Sequence, residues 1–461
     1  MKKKILCLAM MLVFVFAFAA CGGGGDDPAP VDKEQQGSVF GDATATPAPT
    51  EAPEATATPV PTEAPAVDDV PTVGVPGVTG DGPQAIEMIE RSLLQTGNTY
   101  RLKKAIEKAQ NGEEVVIAYI GGSVTEGQGA SPNTNCWAYQ SYEYFKDTFA
   151  NGGDNVKFVN AGMSGTPSTI GMIRYDRDVV AKYGEPDILF VEFAVNDGDD
   201  PTQGVCFESL VKDALLSEKE PAVVLVFAVF QSQWNLQSRL APVGYHYDLP
   251  MVSISDAVVP ELKSGTLSNA DFFSDVYHPN NNGYRIMADC VNYMFDVVNY
   301  EAGSETDITI PDTPKIGDDF VGVKMVDSTT SDSNVTITPG SFSGKDSTVG
   351  TFLYASSTKT FPNNWMKTAT ATGDGFKMEV TCKNLILLYK SSNSQTYGKA
   401  EIYVDGNKLT TVSGYAAGGW NNPLLKILIN EDTAAKHTIE IKMAEGEEGK
   451  AFTIFGFGYT E

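Results

Sequence analysis

From residue 115 to residue 253 the chain alternates between two textures. Short, mainly apolar runs give way to longer stretches in which apolar positions recur every three or four residues. The runs are Val115-Val116-Ile117-Ala118-Tyr119-Ile120, Lys157-Phe158-Val159-Asn160, residues 187–193, Ala222-Val223-Val224-Leu225-Val226-Phe227 and, more weakly, residues 249–253. Their lack of polar alternation predicts strands covered on both faces. Helical spacing over 85–94, 100–110, 138–149, 209–216 and 282–300 supplies the covering helices. Strands and helices in alternation predict a parallel sheet between two helical layers, with the ligand crevice at the carboxyl ends of the strands. After about residue 311 the helical spacing stops. Alternating segments at 376–381, 385–389, 400–404, 424–429, 437–443 and 452–457 predict a separate β-sandwich of jelly-roll type. Within it, Val404-Asp405-Gly406-Asn407-Lys408 predicts a tight hairpin.

The residues before this folded region have neither texture. Lys2-Lys3-Lys4 precedes an apolar stretch, 5–17, that is short for an ordinary membrane span. Phe18-Ala19-Ala20-Cys21 resembles a bacterial lipobox, which implies lipidation of Cys21 and anchoring at the extracellular face of a bacterial membrane. Simple secretion after Ala20 is the plainer alternative. Residues 21–82 are Gly-, Pro-, Thr- and Ala-rich. Within them 45–53 (ATPAPTEAP) recurs almost unchanged as 57–65 (ATPVPTEAP), which predicts an extended stalk without a core. The expected partition is therefore leader 1–20, linker 21–82, α/β domain 83–310 and β-sandwich 311–461.

Charge narrows the partners. With 33 Lys and Arg against 59 Asp and Glu, the formal net charge is −26, which argues against nucleic acid and against broad docking to anionic lipid. Contact with a membrane is expected through the lipid alone. Past the leader and Cys21, the remaining cysteines are Cys136, Cys206, Cys290 and Cys382. Their spacing matches no metal pattern, and buried free thiols are expected in place of a disulfide framework. Neither metal nor cofactor is expected.

Candidate chemistry falls at the carboxyl ends of the predicted strands. Gly121-Gly122-Ser123 follows the first strand, where the glycines permit a sharp turn that lifts the hydroxyl above the sheet. Asn160-Ala161-Gly162-Met163-Ser164-Gly165 follows the second strand and Ala194-Val195-Asn196-Asp197 the third, both rich in amide and N–H donors. Asp275-Val276-Tyr277-His278-Pro279 precedes the last helix and contains one of only three histidines. An Asp three residues before a His can orient the imidazole as a general base for a serine. Each segment alone reads equally as a turn or a cap.

In order and position together, the four segments resemble the sequence blocks of the SGNH (GDSL-like) hydrolases over about 84–300. The resemblance implies a flavodoxin-like three-layer α/β/α fold with a five-stranded parallel sheet and a serine esterase working through an acyl-enzyme. It implies Ser123 as nucleophile, His278 as base and then acid, and Asp275 as its orienting carboxylate. It further implies an oxyanion hole from the Ser123 and Gly165 N–H groups and the Asn196 side chain, with Gly162 as the alternative to Gly165. Two positions depart from the family pattern: Gly122 replaces the usual acidic residue and Ala194 the usual glycine. A carboxylate-pair glycosidase is not supported, since Glu126 has no evident partner and Glu192 lies within a strand.

The layout resembles multidomain carbohydrate acetyl esterases, which implies an O-acylated polysaccharide or oligosaccharide as substrate. Trp420, in Gly418-Gly419-Trp420-Asn421-Asn422, is the candidate for contact with a sugar ring. A lipase or thioesterase, and a non-catalytic carbohydrate-binding lipoprotein, are the alternatives. On this reading, removing the chain from about residue 311 is expected to spare small soluble esters and weaken polymer turnover.

Overall fold

The computed structural model describes residues 83–461; the leader, Cys21 and the linker lie outside the described residues. The α/β region is built on strands β1 (Leu93–Gln95), β2 (Val115–Gly121), β3 (Val156–Gly162), β4 (Ile188–Glu192), β5 (Ala222–Phe227) and β6 (Met251–Ser253), in the order β1-β6-β5-β4-β2-β3. The five strands β2 to β6 are parallel, as the unalternated apolar runs predict.

The sheet nevertheless has six strands. The helix expected over 85–94 ends at Glu90, and Leu93–Gln95 pairs antiparallel with β6. Ser92 causes the switch: its hydroxyl bonds the Ile89 carbonyl at 2.6 Å and ends the helix, while its own carbonyl accepts the Ser253 N–H.

Alternate residues of each strand enter two different cores. Ile117, Tyr119, Phe190 and Val224 pack under the helices Tyr100–Gln110, Trp137–Phe149 and Asn281–Tyr300. Val116, Ala118, Leu189 and Leu225 pack on the other face, under the helices Ser168–Ile173, Val205–Leu216 and Gln237–His246. Consecutive strands leave β2 in opposite directions, to β3 on one side and β4 on the other. That divergence opens the crevice beside the carboxyl end of β2.

The C-terminal domain is an all-antiparallel β-sandwich whose largest sheet has eight strands: β7 (Lys324–Val326), β8 (Val335–Thr338), β11 (Trp365–Lys367), β12 (Phe376–Ser392), β13 (Lys399–Val404), β14 (Asn407–Ser413), β15 (Trp420–Met443) and β16 (Phe452–Thr460). A two-stranded ribbon, β9 (Thr351–Phe352) with β10 (Ala355–Lys359), stands beside it. The segments 376–381 and 385–389 are one strand, interrupted by a register shift at Cys382/Asn384. Its second half is apolar on both faces for a reason outside the sandwich. Leu385, Leu387 and Tyr389 enter the sandwich core, whereas Ile386 and Leu388 join the second core of the α/β region with Phe352, Phe361 and Phe455. One continuous apolar core therefore spans both domains. At the predicted hairpin Asp405 and Gly406 have φ of 51° and 79°, the type I′ signature. Cys136, Cys206, Cys290 and Cys382 are buried free thiols, as expected.

Candidate active site

Ser123 opens a single helical turn, Ser123–Glu126, directly after β2. His278 and Asp275 lie on the loop before the helix Asn281–Tyr300, and the fold brings all three together. His278 Nε2 lies 3.0 Å from Ser123 Oγ, and Nδ1 lies 2.9 Å from Asp275 Oδ2. A carboxylate only accepts, so Nδ1 carries the proton in the neutral ring and Nε2 is left free to accept from the serine. Asp275 is fixed by the backbone N–H groups of Tyr277 (2.7 Å) and His278 (2.9 Å). Partial burial would raise the Asp275 carboxyl, but the His278 ring and these two N–H groups outweigh it and hold it below its ordinary value. His278 is largely covered, with 17% of its side chain exposed, while Asp275 keeps 49%.

The predicted donors face the same cleft. Ser123, Gly165, Asn196 and His278 all line it, and its volume is about 550 Å³. Neither the Ser123 nor the Gly165 N–H donates to a protein acceptor among the described residues. Gly162, the alternative, is occupied elsewhere: its N–H donates to Asn160 Oδ1 at 2.8 Å, and a Cβ there would fall 2.2 Å from Glu126 N. Asn160 also donates from Nδ2 to the Thr125 carbonyl (2.9 Å), which braces the turn bearing Ser123. The departure at Gly122 has a steric reason. A Cβ at that position would sit 2.2 Å from Asn196 Oδ1, so an acidic side chain there would displace the amide.

Three features escaped the sequence reading. Arg174 is fully buried and donates to the carbonyls of Gly121 (3.1 Å) and Ala161 (2.5 Å), tying together the ends of the strands that carry Ser123 and Gly165. Phe230 and Tyr277 form an aromatic pair, with centroids 5.2 Å apart, on the wall of the cleft. Glu126, three residues after the serine, is buried and bonded to Ser164 and, at 2.9 Å, to the N–H of Leu353 in the C-terminal domain. Burial raises its carboxyl above the ordinary value against the pull of those hydrogen bonds.

The C-terminal domain is thus part of the site. Thr351, Leu353, Trp420 and Asn422 line the cleft together with Ser123, and Trp420 lies against Gly165. Removing the chain from about residue 311 would uncover the shared apolar core and strip one side of the cleft, so turnover of small esters should fall together with that of polymer. No group of His, Cys, Asp and Glu suited to a metal ion occurs among the described residues.

Residues 119–286 match the model of the GDSL-like lipase/acylhydrolase family. A two-domain esterase active on acetylated mannans, crystallized with mannopentaose, is similar to this chain at 27% identity with a TM-score of 0.68, covering 81% of this chain and 98% of that one. A second structure of a two-domain esterase active on acetylated mannans gives 26% identity and a TM-score of 0.67, over 81% and 99%. No curated protein sequence matches the chain. The family match falls on the segment that holds Ser123 and His278, and the structural match runs through both domains; the chain carries a GDSL-like lipase/acylhydrolase domain and is an ester hydrolase.

Proposed function

We propose that the enzyme removes O-acetyl groups from a polysaccharide or oligosaccharide through a Ser123 acyl-enzyme. The observation that carries the reading is the unbroken contact series Ser123–His278–Asp275 in a cleft that the C-terminal domain helps to line. Ser123 Oγ attacks the ester carbonyl carbon while His278 Nε2 takes its proton. The resulting oxyanion lies toward the Ser123 and Gly165 N–H groups and the Asn196 amide, donors whose preorganisation lowers the barrier. Collapse expels the sugar hydroxyl, protonated by His278, and water then repeats the sequence on the acyl-enzyme. Asp275 keeps the imidazole in the tautomer that accepts from serine and stabilises the imidazolium.

The carbohydrate class rests on the likeness to an esterase active on acetylated mannans and on Trp420, 51% exposed at the cleft. An indole face offers a flat apolar surface to a sugar ring. Hydrolysis of longer acyl chains is the second reading, motivated by Met163, Phe230 and Leu353 in the cleft. Export and anchoring through Cys21, with the enzyme on a stalk at the cell exterior, belong to the same proposal and rest on the N-terminal sequence.

Acetate release from a panel of acetylated polysaccharides, beside nitrophenyl esters of short and long acyl chains, tests the function. Release from a mannan-type polymer with little long-chain activity is expected. Activity confined to long-chain esters would replace this reading with the lipase one.

A further inference from the structure

Glu126 is outside the Ser123–His278–Asp275 series, yet it sits beside it, and each of its hydrogen-bond partners is a donor. Oε2 accepts both the N–H (2.8 Å) and the hydroxyl (2.5 Å) of Ser164, the residue immediately before Gly165. Oε1 accepts the N–H of Leu353, at 2.9 Å, from the C-terminal domain. The carboxylate also follows Ser123 by a single helical turn, so its backbone moves with the serine. On the other side Gly162 packs directly against the Glu126 backbone, which leaves the 162–165 loop no room to approach further. One side chain therefore joins the serine turn, the Gly165 loop and the C-terminal domain.

We propose that Glu126 is a positioning residue that sets the Gly165 N–H relative to Ser123 and makes that setting depend on the docked 351–353 segment of the C-terminal domain. The proposal rests on the proposed Ser123 acyl-enzyme, in which the Gly165 N–H is one of the oxyanion donors. A carboxylate suits this position because it accepts at both oxygens. A glutamine does not: with its oxygen toward Ser164, its NH2 would face the Leu353 N–H, donor against donor. Glu126→Gln thus breaks one of the two arms while nearly preserving volume.

The test compares the full-length wild type, Glu126→Gln, Ser164→Ala and Ser123→Ala. The readouts are nitrophenyl acetate hydrolysis and titration of active sites with a fluorophosphonate. Glu126→Gln is expected to lower kcat per titrated site by about tenfold to a hundredfold, somewhat less than loss of a whole oxyanion donor, with KM changed less than about twofold. Phosphonylation should slow in parallel, because its transition state also places charge on the oxygen held by the Gly165 N–H. Ser164→Ala, which keeps both N–H contacts, should lose about threefold to tenfold in kcat. A merely structural Glu126 would reduce the titrated fraction and the melting temperature but leave kcat per titrated site intact, and that result would overturn the proposal. Should Glu126→Gln not fold, Ser164→Ala decides alone: kcat equal to wild type would overturn it. Ser123→Ala separates the two failures. If it keeps activity, the underlying reading falls; if it is inactive while Glu126→Gln runs at full rate, only the role of Glu126 falls.

Discussion

Trp420 packs against Gly165 so closely that a Cβ on the glycine would lie 2.8 Å from the indole Cζ2. One residue belongs to the C-terminal sandwich and the other to the loop after β3, separated by more than half the chain. Their contact means that the wall offered to substrate and the loop proposed to hold the oxyanion are a single surface.

Gly165→Ala should therefore fail twice. The residue has φ of +67°, a region that side chains adopt rarely, and the added methyl would collide with Trp420. A fall in kcat of about a hundredfold, comparable to losing one oxyanion donor, is expected in steady-state hydrolysis of a nitrophenyl acetate. Unchanged kcat would remove Gly165 from the oxyanion hole.

Trp420→Ala leaves the Ser123–His278 contact alone and removes an exposed aromatic face. KM for an acetylated oligosaccharide should rise about tenfold, the equivalent of ~1.4 kcal/mol, while small esters change little. Equal effects on both substrates would show that Trp420 shapes the loop and does not hold sugar.

Asp275→Asn tests the orienting carboxylate. Where such a carboxylate is buried, the change costs about 10⁴ in kcat because the imidazole adopts the wrong tautomer. Asp275 is half exposed, so solvent screens part of its interaction. A smaller loss, about a hundredfold to a thousandfold, is expected from kcat measured near neutral pH. A loss of less than about threefold would mean that the backbone of the loop orients His278 without it.

In the sandwich, Lys390 is fully buried against Asp346 at 2.9 Å, with Tyr397 and Thr453 donating to the same carboxylate. Burial alone would raise Asp346, but the hydroxyl of Thr348, the Lys390 ammonium and Thr453 hold it at about 2. A carboxyl depressed on folding stabilises the native state above its ordinary range, and that stabilisation is lost as pH falls from about 4 toward 2. Asp346→Asn leaves a buried ammonium without its counter-charge, at a cost of about 3–5 kcal/mol near neutral pH. Denaturant melts of both proteins should differ most above pH 5 and converge in acid. A gap independent of pH would contradict the assignment.

Much of this could be read from the chain. The runs at 115–120 and 222–227 are apolar at consecutive positions because helices cover both faces of the sheet. With only three histidines, the Asp-x-x-His spacing left few candidates for the base. What was hidden had its cause elsewhere in the fold. The 385–389 run is apolar throughout because a neighbouring domain covers its outer face. Leu93–Gln95 has apolar residues that suit a helix, and only the Ser92 contacts turn it into an edge strand. One partner of Glu126 is the backbone N–H of Leu353, 227 residues away, which no side-chain pattern can announce.

Acyl transfer from a carbohydrate ester is proposed to run through Ser123. Acetate released from acetylated mannan by wild type and by Ser123→Ala, both shown to be folded, tests it most directly. Steady release by the wild type is expected, with a loss of about 10³-fold or more in the variant, leaving only what the remaining donors and binding supply. Release by Ser123→Ala at a rate near that of the wild type would contradict it.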